Sequence, residues 1–522
     1  MQIIDNTALR FVTNESAAQQ ISSALERSQI ISNLPNGREL IIGWDHHEAS
    51  YVAANTNLDV PSPILRDYDW PGRFTPFDHQ KKTASFLSLR RRAFCFNEAG
   101  TGKTSAAIWA ADYLMRLGKI KRVLVICPLS IMYSAWRDDI FNTAMHRTAG
   151  VAHGTTNKRK EVINGNYDFV IINFDGVKTV AAELAQARFD LIIIDEANAY
   201  KDASTQRWKT LAKIMMPSTW LWMMTGTPAS QSPEDAFGLA KLVSPGNVPK
   251  YKTAWRDLVL QQASKFRWIP RPDSRDRVYK ALQPAIRFTK RECLDLPDVV
   301  YQTRHVPLQP NVAAFYKRMK GDMLIEAAGE QVTAVHAAAN MSKLLQISGG
   351  AVYTDDKNIV EFDISPRLKA LKEVLDEAAH KVLVFVPFRH TIDVVAKYLT
   401  EEKVSHEIIN GEVSAKDRLS IINTFQKFAD PKVLIIQPQS ASHGVTLTAA
   451  DTIVFWAPVM SVETYIQCIG RIDRVGQQHK MTVVHLQGSE IEHRMFSMLQ
   501  GKVDSHKKLT DLYKQELGLE AV

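Results

Sequence analysis

Short apolar runs with no internal polar residue are the feature that most limits how this chain can fold. Between Phe77 and about Lys241 they read RVLVICP, DFVIINF, DLIIIDE and TWLWMMTGTP, separated by helix-patterned stretches. A strand apolar on both faces must be covered on both, and a sheet covered that way by crossover helices is parallel. The rhythm resumes after Ser365 with KVLVFVPF, KVLIIQP, DTIVFWA and MTVVHL. Ser365 and Pro366 read as the start of the helix opening this second series, a capping hydroxyl followed by proline at the first helical position. The expected fold class is α/β: two doubly wound parallel-sheet lobes, a helical insertion between them and a small N-terminal extension.

The same reading sets the boundaries. Residues 1–72 form an accessory segment with a helix-like ESAAQQISSALERSQ and a strand-like RELIIGW. It closes in DVPSPILRDYDWPGRFTP, whose prolines and glycine mark a boundary, and is expected to brace the first lobe, with recognition of a DNA structure as the alternative. Residues 73–243 make that lobe, 244–363 a mostly helical insertion, protrusion and linker, and 364–522 the second lobe. Two basic stretches stand out. SKFRWIPRPDSRDRVYK reads equally as a nucleic-acid-binding protrusion or a solvated linker, and Lys158, Arg159 and Lys160 read as a solvated face. Trp220 and Trp222 alternate as core residues of a strand.

Composition narrows the function classes. At 45% hydrophobic and 23% charged the 522 residues suit an ordinary soluble protein of two or three domains. No apolar run nears the ~20 residues of a membrane helix, so no membrane partner is expected. The start MQIIDNTALRFVTNES lacks the basic-then-apolar pattern of a secretory signal. Cys95, Cys127, Cys293 and Cys468 form no CxxC pair, which suggests neither a zinc knuckle nor a disulfide framework and fits a reducing compartment. The net charge of +8 favours a polyanionic partner, weakly.

Two motifs carry chemistry. NEAGTGKT, Asn97 to Thr104, follows the strand-like RAFCF and precedes the helical SAAIWAADYLMRLG. Strand, glycine-rich loop and helix together make a phosphate cradle, in which backbone N–H groups and the helix N-terminus face the anion. Glu98, Ala99, Gly100, Thr101, Gly102, Lys103 and Thr104 are its candidate ATP-binding residues, although Asn97 stands where the strict pattern has Gly. Lys103 would reach the β- and γ-phosphates, and the Thr104 hydroxyl would ligand Mg2+. Further on, LIIIDEANAYKD runs an apolar strand into two acids: Asp195 would hold the metal and Glu196 would orient or deprotonate the attacking water. Alone, the loop could be a chance turn and the acids a cap or surface pair; their joint occurrence favours nucleotide hydrolysis.

With these stand TPFDHQ, VLVICPLSIMYSAW, MMTGTPAS, KVLVFVPFRHTIDVVAKYL, GVTLTAAD and QCIGRIDRVGQ. The ordered set, from Thr75 to about Leu486, resembles the superfamily-two motors of the Swi/Snf type, DNA translocases related to chromatin remodellers. CPLS followed by Trp136 is similar to the family's second motif, and GRIDRVGQ to its last, which the RNA-unwinding DEAD-box branch typically opens with His-Arg. RFTKRECLDLP resembles the family's basic junction before its second lobe. The resemblance implies two RecA-like lobes with ATP between them. On it, Gln80 reads the adenine edge, Thr225 and Thr227 couple the ATP site to the DNA track, and Gln467, Arg471 and Arg474 contribute catalytically from the second lobe. Asn198, where well-known relatives have His or Asp, is expected to affect coupling more than chemistry. Ser130, Asn173, His443 and Thr446 sit where the family's DNA-tracking loops lie. The expectation is a monomeric, DNA-dependent ATPase that moves along double-stranded or branched DNA, in the cytoplasm of a bacterial or phage-infected cell. A nuclear location is the alternative for a eukaryotic source; an RNA or single-strand helicase and an ATP-gated DNA clamp are the rival functions. Protein partners are left open.

Overall fold

The computed structural model describes residues 1–229, 232–264, 267–329, 334–353, 359–440 and 445–501. The chain divides into two compact units at Cys293/Leu294. The first contains a seven-stranded sheet, in spatial order Ala285–Ile286, Arg92–Cys95, Trp220–Met224, Leu191–Asp195, Val123–Cys127, Phe169–Asn173 and Ala149–Ala152. Every neighbouring pair in it is parallel. Alternate residues of one strand supply opposite cores, which is why the runs carry no polar residue. Leu124 and Ile126 enter one apolar cluster, Val123, Val125 and Cys127 the other. Trp222 is fully buried and Trp220 nearly so, in a single cluster, as strand alternation predicts.

Residues 1–72 add a separate antiparallel sheet, in order Gln2–Ile4, Ala8–Thr13, Gly37–Gly43 and Ser28–Leu34. Its core takes in Leu89, which follows the helix Asp78–Ser88, and the His46 ring bonds the Ser88 carbonyl at 2.8 Å. The extension is thereby braced on the first lobe. A second tie is the buried Asp112 carboxylate, which accepts from Tyr68 Oη at 2.6 Å, Arg147 Nε at 2.6 Å and His146 Nε2 at 2.9 Å. Burial pushes this carboxyl up, but the bonds from Tyr68, Arg147 and His146 bring it below the ordinary aspartate value.

The second unit holds a six-stranded parallel sheet, in order Val299–His305, Met481–Gln487, Ala450–Phe455, Lys381–Phe385, Val433–Ile436 and His406–Ile409. Its two faces again bury separate clusters. Arg367, 3% exposed, pins several segments: it donates to Ser348 O at 2.7 Å, Leu486 O at 3.3 Å and Glu492 Oε1 at 2.7 Å.

Two expectations change. Residues 244–363 do not form one helical insertion but are shared between the units. Lys252–Val259, a hairpin of Leu260–Ser264 with Arg267–Pro270, and Ser274–Ala281 pack on the first lobe, through Trp255, Val278 and Trp268, and Ala285–Ile286 extends its sheet. The SKFRWIPRPDSRDRVYK stretch is therefore neither a free linker nor a bare protrusion where it is described. Val299–His305 and the helices Pro310–Gly329 and Ala334–Gly349 belong to the second unit. Ser365, in turn, lies inside its helix, Ser365–Glu377; its N–H and hydroxyl both donate to Asp363 Oδ1, so the carboxylate two residues earlier does the capping.

Candidate functional site

The cradle is built as the sequence implies. The strand Arg92–Cys95 leads into the loop, and the helix Lys103–Arg116 leaves it. Gly102 is the helix N-cap at φ 74°, in the left-handed region, and a Cβ there would lie 2.0 Å from Gln80 Nε2. The first turn, beginning at the buried Lys103 and half-buried Thr104, presents N–H groups that have no carbonyl a turn earlier. Three side chains from Asp78–Ser88 fix the loop. His79 Nε2 bonds Thr101 O at 2.7 Å, Gln80 Nε2 donates to Gly102 O at 3.2 Å, and Thr83 Oγ1 accepts from Asn97 Nδ2 at 2.8 Å. Gln80 Oε1 also accepts from Phe77 N at 2.9 Å. The amide expected to read adenine thus supports the loop, with one N–H and one lone pair still unspent on these bonds.

Asp195 ends its strand 5% exposed. Its Oδ2 accepts from Trp136 Nε1 at 3.1 Å and its Oδ1 from Glu196 N at 3.1 Å, which leaves lone pairs for a hard cation. The donor set of Thr104 hydroxyl and Asp195 carboxylate fits Mg2+. Trp136 lies in a π-helical turn, Met132–Arg137, of the kind that recurs at functional sites. Sequence pattern singles out this tryptophan but not its bond to the metal-side acid. Glu196 has φ 56°, a left-handed backbone that a side-chain-bearing residue rarely adopts.

Asn198 Nδ2 donates to Thr227 O at 3.0 Å and to Thr227 Oγ1 at 3.1 Å, and Thr227 N donates to Thr225 Oγ1 at 3.2 Å. Between the threonines, Gly226 lies so close to the loop that a Cβ would meet Ala99 N at 3.2 Å. The acidic strand tip, the threonine turn and the phosphate loop therefore form one connected site.

Other candidates are placed differently from expectation. Glu98 turns away from the cradle: its N–H donates to Phe288 O at 3.0 Å, and its Oε2 accepts from Lys290 N at 3.0 Å. A carboxylate aimed into the loop would repel phosphate, so Glu98 is no ligand. Arg159 is not a solvated charge, because it donates to Gly154 O, Ala152 O and Asn173 Oδ1 at 2.9–3.0 Å. The Asn173 oxygen is thereby engaged within the lobe. Lys160 pairs with Glu183. Ser130 and Thr446 are exposed, as a tracking contact requires, while His443 lies outside the described residues.

In the second unit Arg471 is 4% exposed and donates from Nε to Gln467 O at 2.8 Å and from Nη1 to Val445 O at 3.0 Å. Arg474 Nη1 reaches the same Val445 carbonyl at 2.8 Å. Gln477 of the same motif is buried: it donates to Ala450 O at 2.8 Å and accepts from Gln478 N and His479 N. No role for Gln477 follows from the sequence pattern, and its bonds make it the structural hub of the turn. Cys95 is buried, which pushes its thiol up to about 11, so it is inert at neutral pH.

A phosphate loop joined to a strand-end acid, in a chain of two parallel α/β lobes, defines a phosphate-loop nucleotide-binding protein. Its family follows from sequence comparison: the SNF2-related domain matches residues 79–367, and the helicase conserved C-terminal domain residues 366–476. The first alone covers more than half of the chain, which belongs to the SNF2-related family. It is 24% identical over 420 residues to the ATP-dependent helicase MG018 of Mycoplasma genitalium, covering 79% of this chain and 40% of that one. To protein p41 of Acyrthosiphon pisum secondary endosymbiont phage 1 it is 25% identical over 473 residues, 86% of this chain and 99% of the relative. Among solved structures, the Sulfolobus solfataricus SWI2/SNF2 ATPase core in complex with dsDNA aligns over 86% of this chain and 97% of its own, at 20% identity and a TM-score of 0.42. The chain thus spans less than half of the Mycoplasma relative and nearly the whole of the phage one.

Proposed function

We propose that the chain is an ATP-driven motor that moves along duplex DNA and remodels branched or protein-bound DNA in replication, recombination or repair. The observation that carries this reading is the joined site of the first lobe, in which the turn of Thr225–Thr227 is bonded by Asn198 beyond the acidic strand tip and lies against the phosphate loop at Ala99, in a chain of the SNF2-related family. When bound, the magnesium nucleotide supplies the phosphoanhydride whose cleavage drives the cycle. Lys103 and the first-turn N–H groups hold its phosphates by charge and dipole. Trp136 and the Glu196 N–H hold the Asp195 carboxylate by one bond to each oxygen, and its remaining lone pairs, with the Thr104 hydroxyl, would hold the magnesium ion. Glu196 accepts the proton of the attacking water. Gln467, Arg471 and Arg474 belong to the second lobe, and a guanidinium that meets the reacting phosphate only on closure would gate hydrolysis by motion.

Duplex DNA is the favoured track because of the family, the net positive charge and the exposed hydroxyls of Ser130 and Thr446, which suit sequence-independent phosphate contacts. A monomer in the cytoplasm of a bacterial or phage-infected cell fits the near full-length match to the phage relative. The test is ATPase rate on a panel of duplex, fork, four-way junction, single-stranded DNA and RNA. Highest stimulation by a duplex-containing DNA, with triplex displacement abolished in Lys103→Ala, supports the motor. Preferential stimulation by RNA or single strands favours an unwinding helicase instead, and duplex stimulation without triplex displacement favours a clamp.

A further inference from the structure

The segment by which the chain leaves the first unit is bonded to the phosphate loop. Phe94, Phe96 and Glu98 donate their N–H groups to the carbonyls of Pro284, Ile286 and Phe288 at 2.9, 2.8 and 3.0 Å. Where backbone pairing stops, loop side chains take over. Asn97 Oδ1 accepts from Phe288 N at 3.0 Å, and Glu98 Oε2 from Lys290 N at 3.0 Å. The guanidinium of Arg287, 6% exposed, donates to Phe96 O at 3.2 Å and lies 3.6 Å from Glu98 Oε1. Three residues beyond Lys290 the first unit ends. On its other side Asn97 is tied through Thr83 to His79, whose ring holds Thr101 O in the loop.

Neither side chain is needed for phosphate binding. Glu98 carries the wrong charge for it, and Arg287 compensates that charge locally. Asn97 replaces the glycine of the strict pattern at a backbone position without positive φ, so nothing there demands glycine, and its amide is buried and bonded at both ends. A polar group buried and doubly satisfied holds two segments in fixed register.

We propose that Asn97 and Glu98 are positioning residues that latch the exit segment Ile286–Lys290 to the phosphate loop, so that nucleotide binding and the state of that segment are coupled. The inference rests on the nucleotide reading of the loop. Such coupling is reciprocal: a nucleotide that orders the loop steadies the segment, and a loosened segment changes what the loop reports to the rest of the chain.

The test is amide hydrogen exchange of the full chain with and without MgADP, alongside MgADP affinity by titration. In the wild type, MgADP is expected to slow exchange at Phe288 and Lys290 about tenfold. Asn97→Gly, which restores the strict loop pattern and deletes both amide bonds, should keep MgADP affinity within about threefold while losing most of the protection at Phe288. Glu98→Gln, which keeps an acceptor for the Lys290 N–H, should retain the protection at Lys290. If Asn97→Gly does not fold, Arg287→Lys is read by the same two measurements: MgADP affinity kept with protection at Phe288 weakened supports the latch, and protection unchanged overturns it. Wild type that binds MgADP with no change at Phe288 or Lys290 overturns the latch and leaves the nucleotide reading intact. Absence of any MgADP binding overturns both.

Discussion

The two lobes place their motif side chains in opposite ways. In the first, support and chemistry are carried by different residues. His79, Gln80, Asn97 and Trp136 hold the loop and Asp195, while Lys103 begins the helix and does none of that bracing. In the second, Arg471 is itself a brace. Its guanidinium ties Gln467 O to Val445 O, its own carbonyl accepts from Leu447 N at 3.0 Å, and it is buried. Arg474 shares the Val445 carbonyl but is only half-buried. A substitution in the first lobe can therefore remove chemistry and spare the fold, whereas in the second it removes both or separates them, according to which arginine is changed.

The largest expected effect tests that division. Lys103→Ala should lower stimulated ATPase turnover by about 10³-fold or more, with the melting midpoint of the chain nearly unchanged. Arg474→Ala should show a comparable loss of kcat with a similarly intact fold, while Arg471→Ala loses turnover and also melts earlier. Steady-state kinetics paired with thermal melting distinguish them. The contrast collapses if Arg471→Ala is as stable as Arg474→Ala.

Buried ions sharpen it next. The Arg367–Glu492 pair has side chains 3% and 0% exposed, and Glu492 Oε2 further accepts from Gly488 N and Ser489 N. Arg367→Met leaves that carboxylate buried without its cation and should cost the second lobe about 3–5 kcal/mol. In the first lobe Asp112 is as buried, but its partners Arg116, Arg147 and His146 reach solvent, at 37%, 20% and 40% exposure. Asp112→Asn keeps the shape and should cost less, about 1–3 kcal/mol. Exchange protection of each lobe's central strands measures the two losses separately, and equal costs would show that partner exposure does not set them.

How much of this was legible in the sequence follows the same physics. Central strands such as Leu191–Asp195 and Val433–Ile436 are buried on both faces and announce themselves as unbroken apolar runs. The outermost strands do not. Val299–His305 exposes Tyr301, Gln302 and Thr303 in succession, Ala149–Ala152 is short and glycine-containing, and Ala285–Ile286 has only two residues, so none carries the signal. In the candidate site, the places of Lys103 and Thr104 at a helix start and of Asp195 at a strand end are readable, because a phosphate-loop pattern fixes residue type and local spacing. The roles of Glu98, Arg159, Trp136 and Gln477 were not, because each is set by a partner distant in sequence or by a carbonyl that any residue could supply. The substitution of Asn for Gly at position 97 was visible, and only the buried bonds to Thr83 and Phe288 explain it.

Asn198 offers a smaller test within the first lobe. Its amide donates to both the carbonyl and the hydroxyl of Thr227, and imidazole can donate to one of them at a time from a given nitrogen. Asn198→His should leave basal hydrolysis within about threefold and change the ratio of DNA-stimulated to basal rate by about fivefold. Loss of basal hydrolysis would move Asn198 from coupling into the chemistry.

The smallest expected effect separates the lobes by pH. His485 is 1% exposed on the central strand Met481–Gln487, bonded to Tyr465 Oη at 2.8 Å and stacked on Phe496 with ring centroids 4.2 Å apart. Burial pulls its folded-state pKa from 6.5 down to about 4. The imidazole is therefore neutral when folded, and below its unfolded value the unfolded chain binds the extra proton. Stability of the second lobe is full above about pH 6.5, falls as pH drops, and the loss levels off below about pH 4; between about pH 7.5 and 5.5 it amounts to about 1 kcal/mol. His485→Gln keeps an acceptor for the Tyr465 hydroxyl and removes the titration, so the second lobe of that variant should lose this slope while the first lobe's pH response stays as it was. Lobe-resolved exchange across the range reads both at once. A slope that survives the substitution would mean that some other group of the second lobe takes up the proton, and that His485 is already protonated, or already solvated, in the folded chain.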